Sequence, residues 1–577
     1  MSGAETSRRP NDPGPQEAVA FVAQHRDTLK AALRAIDERG FWTPYPEMPS
    51  PRVYGETAAK DGESAFKALL GQPFDPDGRH PGTGADAARV GGERSPFGFD
   101  VGVTYPRADI ETLVSVAQAA LPRWRDAGAE IRAGVCLEIL ARLNAQSFLM
   151  AQAVMHTTGQ AFMMAFQAGG PHAQDRGLEA VATAYRAQAA IPAATRWEKP
   201  QGGKAPALVV DKTWRIVPRG VAVVVGCATF PTWNGYPGLF ASLATGNPVI
   251  VKPHPSATLP LALTVRTARA VLAEAGFDPN LVTLAADDPA APIAKALCTD
   301  PRVSIIDFTG GAAFGTWLEH HCRHAQVYTE KSGVNVMVID GTHDFKGLCR
   351  NMAFVLSLYA GQMCTTTQNI LIPRDGIETD EGPKTFDDVC QGLATALDRF
   401  LGNPERAVEV LGAIVDPAIL ARIDDARGLG EVVLDSRAIA HPAFPDATVR
   451  TPILVKLGAS DRDAFLQERF GPIAFLIACE SGTAAIDLAA ETVCAKGAIT
   501  AGVHTTRPEI EDRAVAMAME TGVNLAINFT GGVYVNQSAA FSDFHATGAN
   551  PAANAALSDS AFVANRFRVV GLRRMAG

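Results

Sequence analysis

Between residues 221 and 310 the chain alternates short β-branched runs with helical stretches, and no other feature limits its fold so tightly. The runs are VAVVVGC (221–227), NPVIVKP (247–253), LVTLAAD (281–287) and RVSIIDFTG (302–310), with helical periodicity between them, as over 259–275. Strands that are apolar throughout need cover on both faces, and parallel neighbours need a long crossover, so the pattern predicts consecutive βαβ units in a parallel sheet. A second α/β region is expected from 331 to 526. Upstream, apolar residues recur at helical spacing from Ile110 to about Ala190. The β-type runs 207–211 and 214–218 are expected to pair as a hairpin, and RFRVVGL supplies a last strand near 565–572. Residues 1–95 read as an extension: a helix over 19–37, then an irregular segment rich in Pro, Gly and Asp from 43 to 98.

Composition narrows the function classes. With 577 residues, 47% hydrophobic and 20% charged, the chain can bury large cores. A net charge of -9 without a Lys/Arg run argues against nucleic acid as a partner. Nine cysteines, none in a Cys-x-x-Cys pair, suggest a reducing cytoplasm and no metal site. The opening MSGAETSRRPNDPGPQEAV has no apolar core, and no apolar run approaches the ~20 residues that span a bilayer, so neither export nor a membrane location is expected.

The chemistry is expected at Cys364, in FVLSLYAGQMCTTTQNILIP, where a helical segment ends at 361–362 and a strand starts near Gln368. A single cysteine is usually a small buried hydrophobe, so its context must decide. PTWNGYP places Asn234 after the first strand, where its amide can donate to an oxyanion. Lys252 ends the run VIVKP, followed by His254 and Pro255; Gly310 and Gly315 follow a strand and open a helix. VYTEKSGVN puts Glu330 at a strand end, and QERFGPI supplies Glu468 and Phe470. Each admits a plainer reading. Asn234 can shape a turn, Lys252 can sit with its head in water, Pro255 can start a helix, the glycines can serve packing, and the glutamates can be solvated. Their order and spacing, taken together, favour chemistry.

In these motifs the chain resembles the aldehyde dehydrogenase superfamily over roughly 96–577. Within it the chain is most similar to the phenylacetic acid degradation protein PaaN group, through NPVIVKPHP, GQMCTTTQN and the tail FSDFHATGANPAANAA. The resemblance implies an α/β fold with a Rossmann-type cofactor domain (96–330), a bridging β-hairpin (about 205–218), an α/β catalytic domain (331–526) and a C-terminal return with a bridging strand (527–577). It makes Cys364 the nucleophile, Asn234 its oxyanion partner and Glu330 the general base. Glu468, beside Phe470, would bind the nicotinamide ribose, and Lys252 and the Gly310 turn the adenosine end. The position three after Lys252, a glutamate in many NAD-preferring relatives, is Pro255 here, with His254 as a further donor; this implies NADP as cofactor, with NAD possible. Glu330 favours a free acid over an acyl-CoA product. The group resemblance implies a CoA-linked semialdehyde, 3-oxo-5,6-dehydrosuberyl-CoA semialdehyde, a separate ring-opening hydratase, and a homodimer or dimer of dimers. Two other readings remain: a CoA-acylating dehydrogenase, and a catalytically silent family member that binds a partner. In the tail, His545 either lines the substrate entrance or belongs to a turn-rich connector.

Overall fold

The computed structural model describes residues 15–84, 86–534, 540–541 and 545–576. The four apolar runs form the strands Val221–Val225, Val249–Lys252, Val282–Leu284 and Val303–Gly310. With Gln326–Lys331 they make a parallel five-stranded sheet, and Val221–Val225 and Val249–Lys252 are buried at every position. The order across the sheet is 282–284, 249–252, 221–225, 303–310, 326–331. The direction of growth reverses between 221–225 and 303–310, so connections leave those two carboxyl ends toward opposite faces and open a crevice between them. Helix Pro231–Ala244 starts at this crevice, and helix Leu259–Glu274 follows the neighbouring strand.

A seven-stranded sheet occupies 335–527, in the order 431–434, 453–458, 473–479, 367–373, 335–339, 500–504, 524–527. Only the edge pair 431–434 with 453–458 is antiparallel. The remaining large sheet is three-stranded, ordered 567–575, 208–218, 194–199. Here the sequence reading is corrected. Runs 207–211 and 214–218 are not two arms of a hairpin but one continuous strand, Leu208–Pro218, whose hairpin partner is Ala194–Lys199. Most of its residues are only partly buried, with Asp211 and Arg215 exposed, so no clean two-residue period marks it as one strand.

The extension is also more ordered than its Pro/Gly content predicts. Besides the helix Gln16–Glu38, the 43–98 segment contains helices Pro51–Tyr54 and Ala58–Leu69 and a short strand pair, Arg89–Gly91 with Thr104–Pro106. Gln16–Glu38 lies close against helix Ala129–Ala145: a Cβ on Gly134 would come within 2.9 Å of the Val22 backbone. Glu93 reaches into the five-stranded domain, where its carboxylate accepts from Thr258 N (2.6 Å) and Leu259 N (2.9 Å) and caps helix Leu259–Glu274.

Candidate active site

Cys364 sits where the carboxyl edge of the five-stranded sheet faces the amino edge of the seven-stranded one. Helix Phe345–Ser357 ends earlier than its sequence suggests, because Tyr359 (φ 52°) and Ala360 (φ 48°) turn left-handed, a conformation costly for residues with a Cβ. Gly361 continues the turn at φ 65°, and a Cβ there would collide with the Gly471 carbonyl, so only glycine lets this turn pass the Phe470-Gly471-Pro472 turn. The strain is held by side chains. Gln362 donates to Tyr359 O and Ala413 O and accepts from Val415 N, while the Tyr359 hydroxyl donates to Thr158 O. Asn335 clamps the far side, donating to Cys364 O (2.7 Å) and Thr366 O (3.0 Å) while accepting from Ile499 N and Thr500 N. Neither Gln362 nor Asn335 stands out in the sequence as a site residue; each acts only on backbone brought near by folding.

The Cys364 Sγ lies 4.0 Å from Glu330 Oε1 and 3.8 Å from His545 Nε2. His545 Nε2 is in turn 2.8 Å from Glu330 Oε1. Glu330 is the penultimate residue of strand Gln326–Lys331, whose edge is held by the tail through Lys331 N to Ala552 O and Asn554 N to Thr329 O. The tail thus fixes the carboxylate and delivers the histidine in one stroke, although 542–544 of that loop lie outside the described residues. Burial pushes the Glu330 carboxyl up, but the electrostatic pull and hydrogen bond of His545, with the charge of Arg176, outweigh it and hold the group below its ordinary value. The thiol goes the other way: burial, then the negative charge of Glu330 and lesser contributions from Cys227 and Glu468, raise Cys364 well above the usual thiol range. A thiol so placed needs a base to ionise, and the base stands next to it.

Asn234 occupies the first turn of helix Pro231–Ala244 and lines the same cavity as Cys364. Its amide donates here to Cys227 Sγ at 3.4 Å, a buried thiol the sequence reading passes over. That cavity has a volume of about 350 Å³ and is walled largely by Met163, Met164, Phe230, Trp233, Phe354 and Leu358.

Of the expected cofactor residues, Lys252 and Gly310 end strands at the carboxyl edge of the five-stranded sheet. Lys252 does not hold its head in water; it is buried and paired with Asp287, Nζ to Oδ1 2.8 Å. Pro255 does not start a helix: it lies in a turn, and the helix begins at Leu259 with Pro260 in its first turn. His254 is exposed and bonds Ser256 Oγ. Gly310 ends its strand, and Gly315 lies inside helix Ala312–His321, where a Cβ would meet the Lys331 side chain at 2.6 Å. Close packing therefore accounts for Gly315. Glu468 is exposed, its carboxylate accepting from Ser332 Oγ at 2.6 Å, and Phe470 packs on the second core. A crevice at the sheet's switch point, with a buried lysine at a strand end and a glycine strand terminus, suits a dinucleotide. For a metal, only Glu330, Cys364 and His545 cluster suitably among the described residues, their donor atoms within 4.8 Å of one another. No helix of the described residues is long and apolar enough to cross a membrane.

Comparison with known proteins agrees with this geometry. The family model described as "Aldehyde dehydrogenase family" matches residues 103–556. The structure of an NAD-dependent aldehyde dehydrogenase from Burkholderia multivorans is 57% identical, with TM-score 0.94, covering 96% of this chain and 99% of that one. A Thermus 1-pyrroline-5-carboxylate dehydrogenase with bound NAD shares the fold at 17% identity and TM-score 0.70, covering 93% and 99%. Vanillin dehydrogenase of Pseudomonas fluorescens is 25% identical over 72% of this chain and 80% of its own. Benzaldehyde dehydrogenase of Pseudomonas putida is 24% identical over 56% and 60%, and the aldehyde dehydrogenase family 7 member A1 homolog of Caenorhabditis elegans 24% over 45% and 48%. The chain spans about half to three fifths of the length of these last two.

Proposed function

The chain belongs to the aldehyde dehydrogenase family, oxidoreductases that act on aldehydes with NAD(P), and from that premise we propose that it oxidises an aldehyde to a carboxylic acid through a thioester on Cys364. The observation that carries the reading is the Glu330 carboxylate, held ionised 4.0 Å from the Cys364 sulfur. Glu330 or its partner takes the thiol proton, and the thiolate attacks the aldehyde carbon. The oxygen gains charge, which the Cys364 backbone N–H stabilises together with the Asn234 amide once it turns from Cys227. The dinucleotide, when bound, accepts the hydride that leaves this carbon. Glu330, once the thiol proton has passed to solvent, deprotonates water for attack on the thioester, which releases the acid and returns the thiol. A base at this position favours hydrolysis over transfer to coenzyme A. Mass spectrometry of the product with and without added coenzyme A tests this: free acid is expected in both, and acyl-CoA as the main product would overturn it.

For substrate, the tail's resemblance to the phenylacetate-pathway group supports a CoA-linked semialdehyde of phenylacetate breakdown, 3-oxo-5,6-dehydrosuberyl-CoA semialdehyde, with a separate hydratase opening the ring. The aromatic cavity wall favours a second reading, a free aromatic aldehyde; the relatives named for vanillin and benzaldehyde point the same way. Ranking kcat/KM for a CoA-linked semialdehyde against benzaldehyde separates the two. For cofactor, Pro255 leaves no carboxylate to repel a 2′-phosphate, which supports NADP beside NAD, while Asp287 already neutralises Lys252 and limits that preference. In the three-stranded sheet Val569, Val570, Leu572 and Met575 are exposed, which supports a dimer or dimer of dimers built across it.

A further inference from the structure

We propose that His545 is a catalytic residue, the proton carrier between Glu330 and the Cys364 sulfur. The inference rests on the reading of Cys364 as nucleophile and Glu330 as base. His545 Nε2 lies 2.8 Å from one and 3.8 Å from the other, so a single ring nitrogen serves both reacting groups. The ring is buried at 3% exposure, and Trp233 packs edge-on against it with centroids 4.5 Å apart. Arg176 lies over the Trp233 ring, its guanidinium carbon 3.8 Å from the centroid. Trp233, held beneath that cation and in T-shaped contact with the imidazole, fixes the ring while Nε2 faces Glu330 and the Cys364 sulfur. Among the described residues, the titratable and charged groups that share its cavities include Glu330, Cys364, Arg176 and Tyr534, with His172 and Glu409 farther along one wall and Asp307 and Tyr328 along another.

The steps balance. As water adds to the thioester carbon, one of its protons passes to Glu330. The C–S bond breaks, its electron pair stays on sulfur, and the Nε2 proton of the imidazolium moves to that sulfur, which leaves a neutral ring with its proton on Nδ1. Nε2, now a free base, takes from Glu330 the proton that came from water. The acid leaves, and thiol, imidazolium and carboxylate stand as they began. Run in reverse before catalysis, the same two transfers ionise a thiol whose surroundings oppose ionisation, and Glu330 releases the proton it gains to solvent, the proton set free when an aldehyde becomes an acid, before it accepts one from water. A carboxylate alone cannot do this as well, since a negative charge beside sulfur disfavours the thiolate, whereas a ring that passes its Nε2 proton to Glu330 and takes the thiol's in its place leaves a neutral carboxyl group and a protonated ring beside the thiolate.

The test uses the full-length protein with benzaldehyde and NAD, and in parallel the alkylation of Cys364 by iodoacetamide, which needs no aldehyde. His545→Gln keeps an N–H for Glu330 but cannot carry a proton; His545→Ala removes both functions. Steady turnover should fall on the order of 100-fold in each. The acid limb of the turnover profile should move up in pH, because the group holding Glu330 down is gone. Added imidazole should restore His545→Ala in part, for both turnover and alkylation, and should not help His545→Gln. Full activity in His545→Gln would show a purely positioning role and overturn the proposal; so would an unmoved pH profile with no imidazole rescue. If wild type fails to oxidise the aldehyde while alkylation still depends on His545 and imidazole, the substrate reading falls and the proton carrier stands. Dinucleotide binding and circular dichroism report whether each variant is folded.

Discussion

Two strand ends of one sheet carry a charged residue toward the crevice, and they have opposite fates. Lys252 meets Asp287, and both side chains are nearly sealed, at 6% and 1% exposure. Glu330 meets His545, but its side chain keeps 16% exposure and has a thiol and a cavity beside it. In the first pair the charges satisfy each other. In the second, the partner can exchange a proton and the neighbouring sulfur can react. The comparison teaches that burial with a counter-charge makes an anchor, whereas burial with a titratable partner and an open side makes a reaction centre.

Breaking the reactive end should have the largest effect. Cys364→Ala removes the nucleophile and should reduce aldehyde oxidation at least 1000-fold by order of magnitude, while dinucleotide binding persists. Residual turnover within tenfold of wild type would sink the assignment. Glu330→Gln is next: one burst of reduced cofactor followed by a stall, with steady turnover on the order of 100-fold or more below wild type. Rapid mixing at 340 nm distinguishes the burst, and a steady rate equal to wild type would move the base elsewhere.

The closed end should respond more mildly and in specificity. Asp287→Asn keeps an acceptor for Ile293 N but removes the charge that neutralises Lys252. The ratio of kcat/KM for NADP over NAD should rise about tenfold, which corresponds to about 1.4 kcal/mol. No change in that ratio would mean that the lysine does not meet the ribose 2′ position.

The smallest effect tests a closed carboxylate without an ion pair among the described residues. Glu93, buried against the Tyr105 hydroxyl and two backbone N–H groups, is pushed by burial up to about 7 from its ordinary 4.5. Because the folded state holds this proton more tightly than the unfolded chain, the contribution is complete below about pH 4.5 and is lost as pH rises toward 7. Glu93→Gln should flatten the fall in Tm over that interval without altering turnover. A slope equal to wild type would place the titration elsewhere.

The alternating strands were legible because each is written within a short window as a period of apolar residues, whereas Cys364 and Glu330 were singled out by the order and spacing of several motifs along the chain. The split of Leu208–Pro218 into two runs shows where such windows fail, since its pairing is decided by the strands at 194–199 and 567–575. The helices Pro51–Tyr54 and Ala58–Leu69 were missed for a related reason: burial of the second depends on helix Ser147–Thr158, where a Cβ on Gly62 would come within 2.8 Å of the Leu149 backbone.

The amino-acid sequence by itself determined the α/β class and the succession of parallel βαβ units, and it singled out the thiol and the carboxylate that we propose for the chemistry. Tertiary structure alone decided their partners: His545 lies 181 residues from Cys364, Glu93 165 from the helix it caps, and Asp287 meets Lys252 only after three strands align. The physical reason is one of range. Backbone preference and hydrophobic period act over a few residues, while the charge state of a buried group is set by whatever packing places within a few ångströms of it, at any distance along the chain.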